Sequence, residues 1–322
     1  MDLTTVLSLG QTALELGLIC SLTVLALFLS YSMLNVCDLS TDGCFTLGAA
    51  VGAAVALSGH PFLALAAAMA AGVCSGFITA LLQTRLGVDS LLAGIIVNTA
   101  LYSINIAVMS GASLLNMNKA ETVFTLVKDR LEGTPLAGQY KLVVALAAVA
   151  LALAVLTLFL NTKLGLAIRA TGNNPDMVRA TGDNADMVRA SSINPIFTTT
   201  VGLCVANAFT GLSGCLLAQS QKSAEINIGT GMVTIALASL LIGRTILGRG
   251  SILSRAVGVV LGSFLFRLVY TVALRFNMPA FMLKLVSSVI VVLAISGPYL
   301  KRRWPMIRRR LAHRSGTAKG GR

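Results

Sequence analysis

Charge is scarce in this chain: Asp, Glu, Lys and Arg make up only 11% of its 322 residues, where a soluble globular domain carries about 25%. So small a share cannot cover a water-facing surface, and the 56% hydrophobic content points to a bilayer as the solvent. Histidine is scarcer still. His60 and His313 are the only two, and they lie too far apart in sequence to argue for a metal site. No CxxC pair occurs among the six cysteines; Cys20, Cys37, Cys44, Cys74, Cys204 and Cys215 all sit in or beside apolar runs, the setting of buried free thiols. There is no G-x-x-x-x-G-K-[ST] run to cradle phosphates. No His, Asp or Ser/Lys constellation of an embedded enzyme is visible either, so no catalytic residue and no metal ligand is assigned. The N-terminus lacks the Lys/Arg start of a cleavable signal peptide, which makes the first apolar run a retained span.

What is present is a series of apolar runs: Ala13–Asn35, Phe45–Ser58, Phe62–Thr84, Ser90–Ser110, Leu142–Leu160, Pro195–Gln219, Met232–Ile246, Ile252–Leu274 and Phe281–Leu300. Crossing hydrocarbon takes about 20 helical residues. Phe45–Ser58 and Met232–Ile246 fall short, as broken or re-entrant helices lining an enclosed cavity do. The expected fold is an all-α polytopic membrane protein of nine (eight to ten) helices. A single transmembrane domain fills 1–300, and a basic, disordered tail follows at 301–322. Small residues crowd runs such as LGAAVGAAVA at Leu47–Ala56, a pattern that lets helix backbones approach closely.

Lys and Arg set the orientation. The net charge of +13 is concentrated in the tail, which is read as cytoplasmic and in contact with anionic lipid. Nothing upstream resembles a nucleic-acid module, so nucleic acid is not expected as a partner. Counting back, 244–255, 161–194 and the turn at Arg85 are cytoplasmic, and the N-terminus is outside. The loop 111–141 also falls outside. Its Glu121–Arg130 part reads as an amphipathic helix, either a docking surface or a solvated connection.

The loop 161–194 carries a ten-residue near-repeat, RATGNNPDMV then RATGDNADMV. Each copy places Gly before Asn or Asp, a helix stop followed by an N-cap signal. The spacing predicts a short helix over Asn174–Thr181, with Pro175 in its first turn and Gly182 ending it.

AIRATGNNPDMVRATGDNADMVRA resembles the cytoplasmic loop of the branched-chain amino-acid and ribose-type ABC permease family. NVCDLSTDGCFTLG at Asn35–Gly48 and NIGTGMVTIALASLLIG at Asn227–Gly243 resemble stretches of its tryptophan/tyrosine-type branch. The resemblance runs from about Leu14 to Tyr299. Where it leads one to expect an acid after Gly243, this chain has Arg244. It implies the permease subunit of an ATP-driven ABC importer in the bacterial inner membrane, moving a small solute such as an amino acid. It also implies a separate cytosolic ABC ATPase that uses the ATP, so that this chain binds no cofactor itself. An extracytoplasmic solute-binding protein and a second permease copy, as a homodimer, complete the implied assembly. Asn174, Pro175, Asp176, Met177, Arg179, Ala180 and Gly182 would form the ATPase-coupling helix.

Polar residues at membrane depth are costly and are candidates for the solute path. Asp38, Ser40, Thr41 and Asp42 interrupt the first apolar runs, either as an unwound turn facing a cavity or as an interfacial turn. Asn98 and Asn105 lie seven apart on one helix face, and Asn207 is mid-span; each lines the path or packs helices. Gln219, Gln221, Glu225 and Asn227 read as an outer gate, a binding-protein contact or a wet loop, and Arg267 as a snorkelling cation or a partner of Glu225. The competing reading is an ion-coupled secondary transporter, for which Asp38 and Asp42 are the carboxylates nearest mid-depth.

Overall fold

The computed structural model describes residues 3–133, 137–173, 194–248 and 250–275, with isolated positions 285, 288, 289, 291–293 and 296 beyond them. Helix α1 (Leu3–Leu27) runs on into a π-helical turn, Phe28–Met33. The turn ends at Asn35, whose φ of 58° is left-handed, a conformation Asn accepts more readily than most residues. Helix α2 (Thr41–Leu57) follows, then α3 (Pro61–Thr84), which starts with Pro at a position where the missing N–H costs nothing. Helix α4 (Ser90–Val108) is capped by Asp89, which accepts from Leu91 N at 2.9 Å. At the far end of α4 lie β1 (Leu114–Asn116) and α5 (Val123–Leu131), the latter opened by a Thr122/Thr125 capping box. Helices α6 (Tyr140–Asn161) and α7 (Lys163–Asn173) precede α8 (Pro195–Gln221), which Asn194 caps. Strand β2 (Ser223–Glu225) pairs antiparallel with β1; α9 (Met232–Leu247) and α10 (Ile252–Arg275) follow.

Six of these helices, α1, α3, α4, α6, α8 and α10, are long and apolar enough to span a bilayer. Helices α2 and α9, with 17 and 16 residues, are the two short ones the apolar runs predicted. The run Phe281–Leu300 and the basic tail lie outside the described residues, isolated positions apart. Helices α1 and α8 form the centre: 78% of the spanning window is buried in each, against 28–39% in the other four spans. The outer helices turn large side chains such as Phe62, Phe77, Leu151 and Leu158 outward, as lipid contact requires.

Small residues set the central packing. Helix α2 runs parallel to α8, with Cys44 against Asn207, Gly48 against Gly211 and Gly52 against Cys215. Helix α3 runs antiparallel to α8, with Gly72 against Asn207 and Gly76 against Leu203. Each pairing repeats every four residues, one helical turn, and a side chain at Gly48 or Gly72 would meet the α8 backbone. These contacts fix a depth. Asn207 and Gly72 lie near the middles of two full-length spans, so the first turn of α2 begins midway through the bundle.

Two sequence expectations need correction. Helix α1 starts at Leu3 rather than Ala13: Gln11 donates to Glu15 one turn on, at 3.0 Å, so these polar residues are accommodated within the helix. Gly172 falls inside α7 rather than just past its end, one residue before the helix closes at Asn173. With no side chain there, the Met33 carbonyl packs directly on the Gly172 backbone.

Candidate functional site

The chain between the π-helical turn and α2 is unwound, and its polar groups turn inward. Asp38 is 2% exposed. Its Oδ1 accepts from Ser40 N at 2.8 Å and from Ser40 Oγ at 2.6 Å. Its Oδ2 accepts from Asn207 Nδ2 at 2.8 Å, and Asn207 is 1% exposed. Thr41 Oγ1 donates to the Asp38 carbonyl at 3.0 Å. Thr79 of α3 donates to Ser40 Oγ at 3.3 Å, and the Cys44 thiol donates to the Asn207 carbonyl at 3.4 Å. Ser75, also on α3, is buried with its hydroxyl beside the Cys44 thiol. A carboxylate removed from water needs hydrogen bonds or a counter-charge. The bonds Asp38 receives come from neutral groups.

Asp42, in the first turn of α2, faces another way. Its Oδ2 accepts from Gly231 N and its Oδ1 from Val233 N, both at 2.8 Å. It therefore caps the start of α9, whose own N-cap, Gly231, has no side chain to offer. Both short helices thus begin at the same mid-bundle depth, as discontinuous helices around transport sites do.

Asn98 and Asn105 converge on one residue. Asn105 Nδ2 donates to the Gly43 carbonyl at 3.2 Å, and Asn98 Oδ1 sits where a Gly43 side chain would begin. Asn105 Oδ1 is buried without a partner. The structure therefore brings Asp38, Ser40, Thr41 and Asn207 into one network, with Asp42, Asn98 and Asn105 around the adjoining turn of α2. Sequence reasoning missed Ser75 and Thr79. As small hydroxyls in an Ala-rich helix they look like packing residues, and only their four-residue spacing on the face turned toward α2 marks them.

Gln219 is not in a wet loop: it is fully buried. Its Oε1 accepts from Val123 N at 2.9 Å and its Nε2 donates to the Pro61 carbonyl at 3.2 Å, which ties α5 and α3 to the end of α8. Arg267 reaches not Glu225 but the Cys20 sulfur at 2.9 Å, with the Tyr270 ring 5.6 Å from its guanidinium carbon. Asn174, Pro175, Asp176, Met177, Arg179, Ala180 and Gly182 lie outside the described residues.

Residues 11–295 match the family described as "Branched-chain amino acid transport system / permease component". Among curated proteins, a "Tyrosine transport system permease protein" of Clostridioides difficile (strain R20291) is 29% identical over 277 residues, 86% of either chain. An uncharacterized protein of Rickettsia prowazekii (strain Madrid E) is 28% identical over 291 residues, 88% of this chain and 96% of its own. No solved structure matches the chain.

Proposed function

The chain belongs to the branched-chain amino acid transport system permease family, and we propose that it is the membrane-spanning subunit of an ATP-driven ABC importer for an amino acid. The network of Asp38, Ser40 and Asn207, buried midway through the bundle where two short helices begin, carries this reading. Buried ionisable groups are expensive in a membrane and mark solute paths. Asp38 offers a negative charge held by neutral donors, which suits the ammonium end of an amino acid as it passes. The named relative that transports tyrosine supports an amino acid as the solute.

The partners follow from the same reading. The ATP is consumed by a separate cytosolic ATPase, and the segment 174–182 contacts it. An extracytoplasmic binding protein delivers the solute, a second copy completes the translocation unit, and the basic tail lies on anionic lipid at the cytoplasmic face of a bacterial inner membrane. Mild-detergent purification of the chain with its native partners tests this. An ABC ATPase at equimolar ratio is the expected result; its consistent absence counts against the reading.

A further inference from the structure

Two stretches that are distant in sequence, Asp38–Gly43 and Asn227–Gly231, meet in the structure through Asp42. Besides the two bonds from its carboxylate to Gly231 N and Val233 N, the Asp42 carbonyl accepts from Thr46 Oγ1 at 3.1 Å. Thr46 Oγ1 in turn accepts from Gly229 N at 3.2 Å. Gly229 seats its backbone on the Asp42 carbonyl, where a side chain would not fit. The first turn of α9 is thus clasped to the first turns of α2, four residues from Asp38. Helix α9 has no cap of its own, so this clasp defines where it starts.

At its other end α9 is locked to α10. Gly243 packs on the Gly258 carbonyl and on Val259, and Gly262 packs on the Ser239 carbonyl. Such backbone-to-backbone seams leave little room to slide. The α9–α10 hairpin is therefore a stiff rod. One end carries Arg244 and Arg255, and the other holds the turn next to the buried carboxylate.

We propose that Asp42 is a positioning residue for transport: it passes displacement of the α9–α10 hairpin to the Asp38 network, and so links the path to movement at the membrane face. This rests on the importer reading. Its test uses the full complex in proteoliposomes and measures ATP hydrolysed per solute imported, a ratio that the amount of folded protein does not change. Asp42→Ala is expected to raise that ratio between ~2- and ~30-fold, the range over which single residues modulate coupling between sites. Amide exchange at 229–233 should accelerate in the same variant, while exchange within α10 stays unchanged. A folded Asp42→Ala complex with the wild-type ratio overturns the proposal. Should Asp42→Ala fail to assemble, Asp42→Asn, which keeps one acceptor oxygen, and Thr46→Val carry the same two readouts. A wild-type complex that imports without hydrolysing ATP would sink the importer reading instead. The exchange arm would still show whether Asp42 holds α9.

Discussion

Asn207 donates its side-chain amide to Asp38 across 169 residues of chain, at 2.8 Å, with both residues buried. The bond joins the unwound segment before α2 to the middle of α8, the helix around which α2 and α3 pack. It closes the break between the first two apolar runs and holds a buried carboxylate midway through the bundle.

Asn207→Leu should therefore do more than remove one bond. An unpaired buried acceptor costs about 1–3 kcal/mol, and more when charged. Thermal unfolding in detergent should show a loss at or above that range, together with loss of uptake. The double variant Asp38→Asn/Asn207→Leu removes the charge as well. It should recover part of the stability but none of the uptake, a non-additivity expected of residues sharing one network.

Gln219→Ala should loosen the end of the bundle where α5 and the start of α3 meet α8, without touching the path. It removes the acceptor for Val123 N and the donor to Pro61 O, at a cost of about 1–3 kcal/mol. Hydrogen exchange should lose protection in α5 while the amides around Asp38 keep theirs.

Arg267→Leu should leave uptake intact and stability equal or higher. The guanidinium is partly buried, with a thiol and a ring as its partners and Nε unpartnered. Replacing a poorly compensated charge with an apolar side chain often stabilises. Unfolding temperature and uptake rate of the variant check both halves.

Gly48→Val should prevent a correctly packed bundle, because its side chain would enter the α8 backbone at Gly211. Overpacking of this kind costs about 1–3 kcal/mol or more. A sharply reduced yield of monodisperse protein is expected. Gly10, which has open space around it, should accept Ala with normal yield.

The spans were legible because a bilayer imposes length and hydrophobicity on every crossing helix. The run Phe62–Thr84 matches α3 to within a residue, and the shortness of α2 and α9 is visible in the sequence as well. The apolar run begins four residues after α2 does, since Thr41, Asp42 and Gly43 look like a turn when their partners are unseen. The candidate site was legible in its members but not in its wiring. Asp38 and Asn207 each stood out as polar at depth, yet nothing local pairs them. Asp42 resembles Asp38 in sequence but lies inside α2 and faces α9. The end of a span resembles a wet loop until α5 folds over it, which is why the burial of Gln219 is not legible in sequence.

The most direct measurement is amino-acid uptake by proteoliposomes holding the permease, its ATPase and its binding protein. Wild-type uptake should require ATP on the side of the loop 161–194. It should vanish when 174–182 is replaced by a Gly/Ser linker, with insertion unchanged. Uptake by the permease alone, driven by an ion gradient and indifferent to ATP and to the linker, would contradict the account.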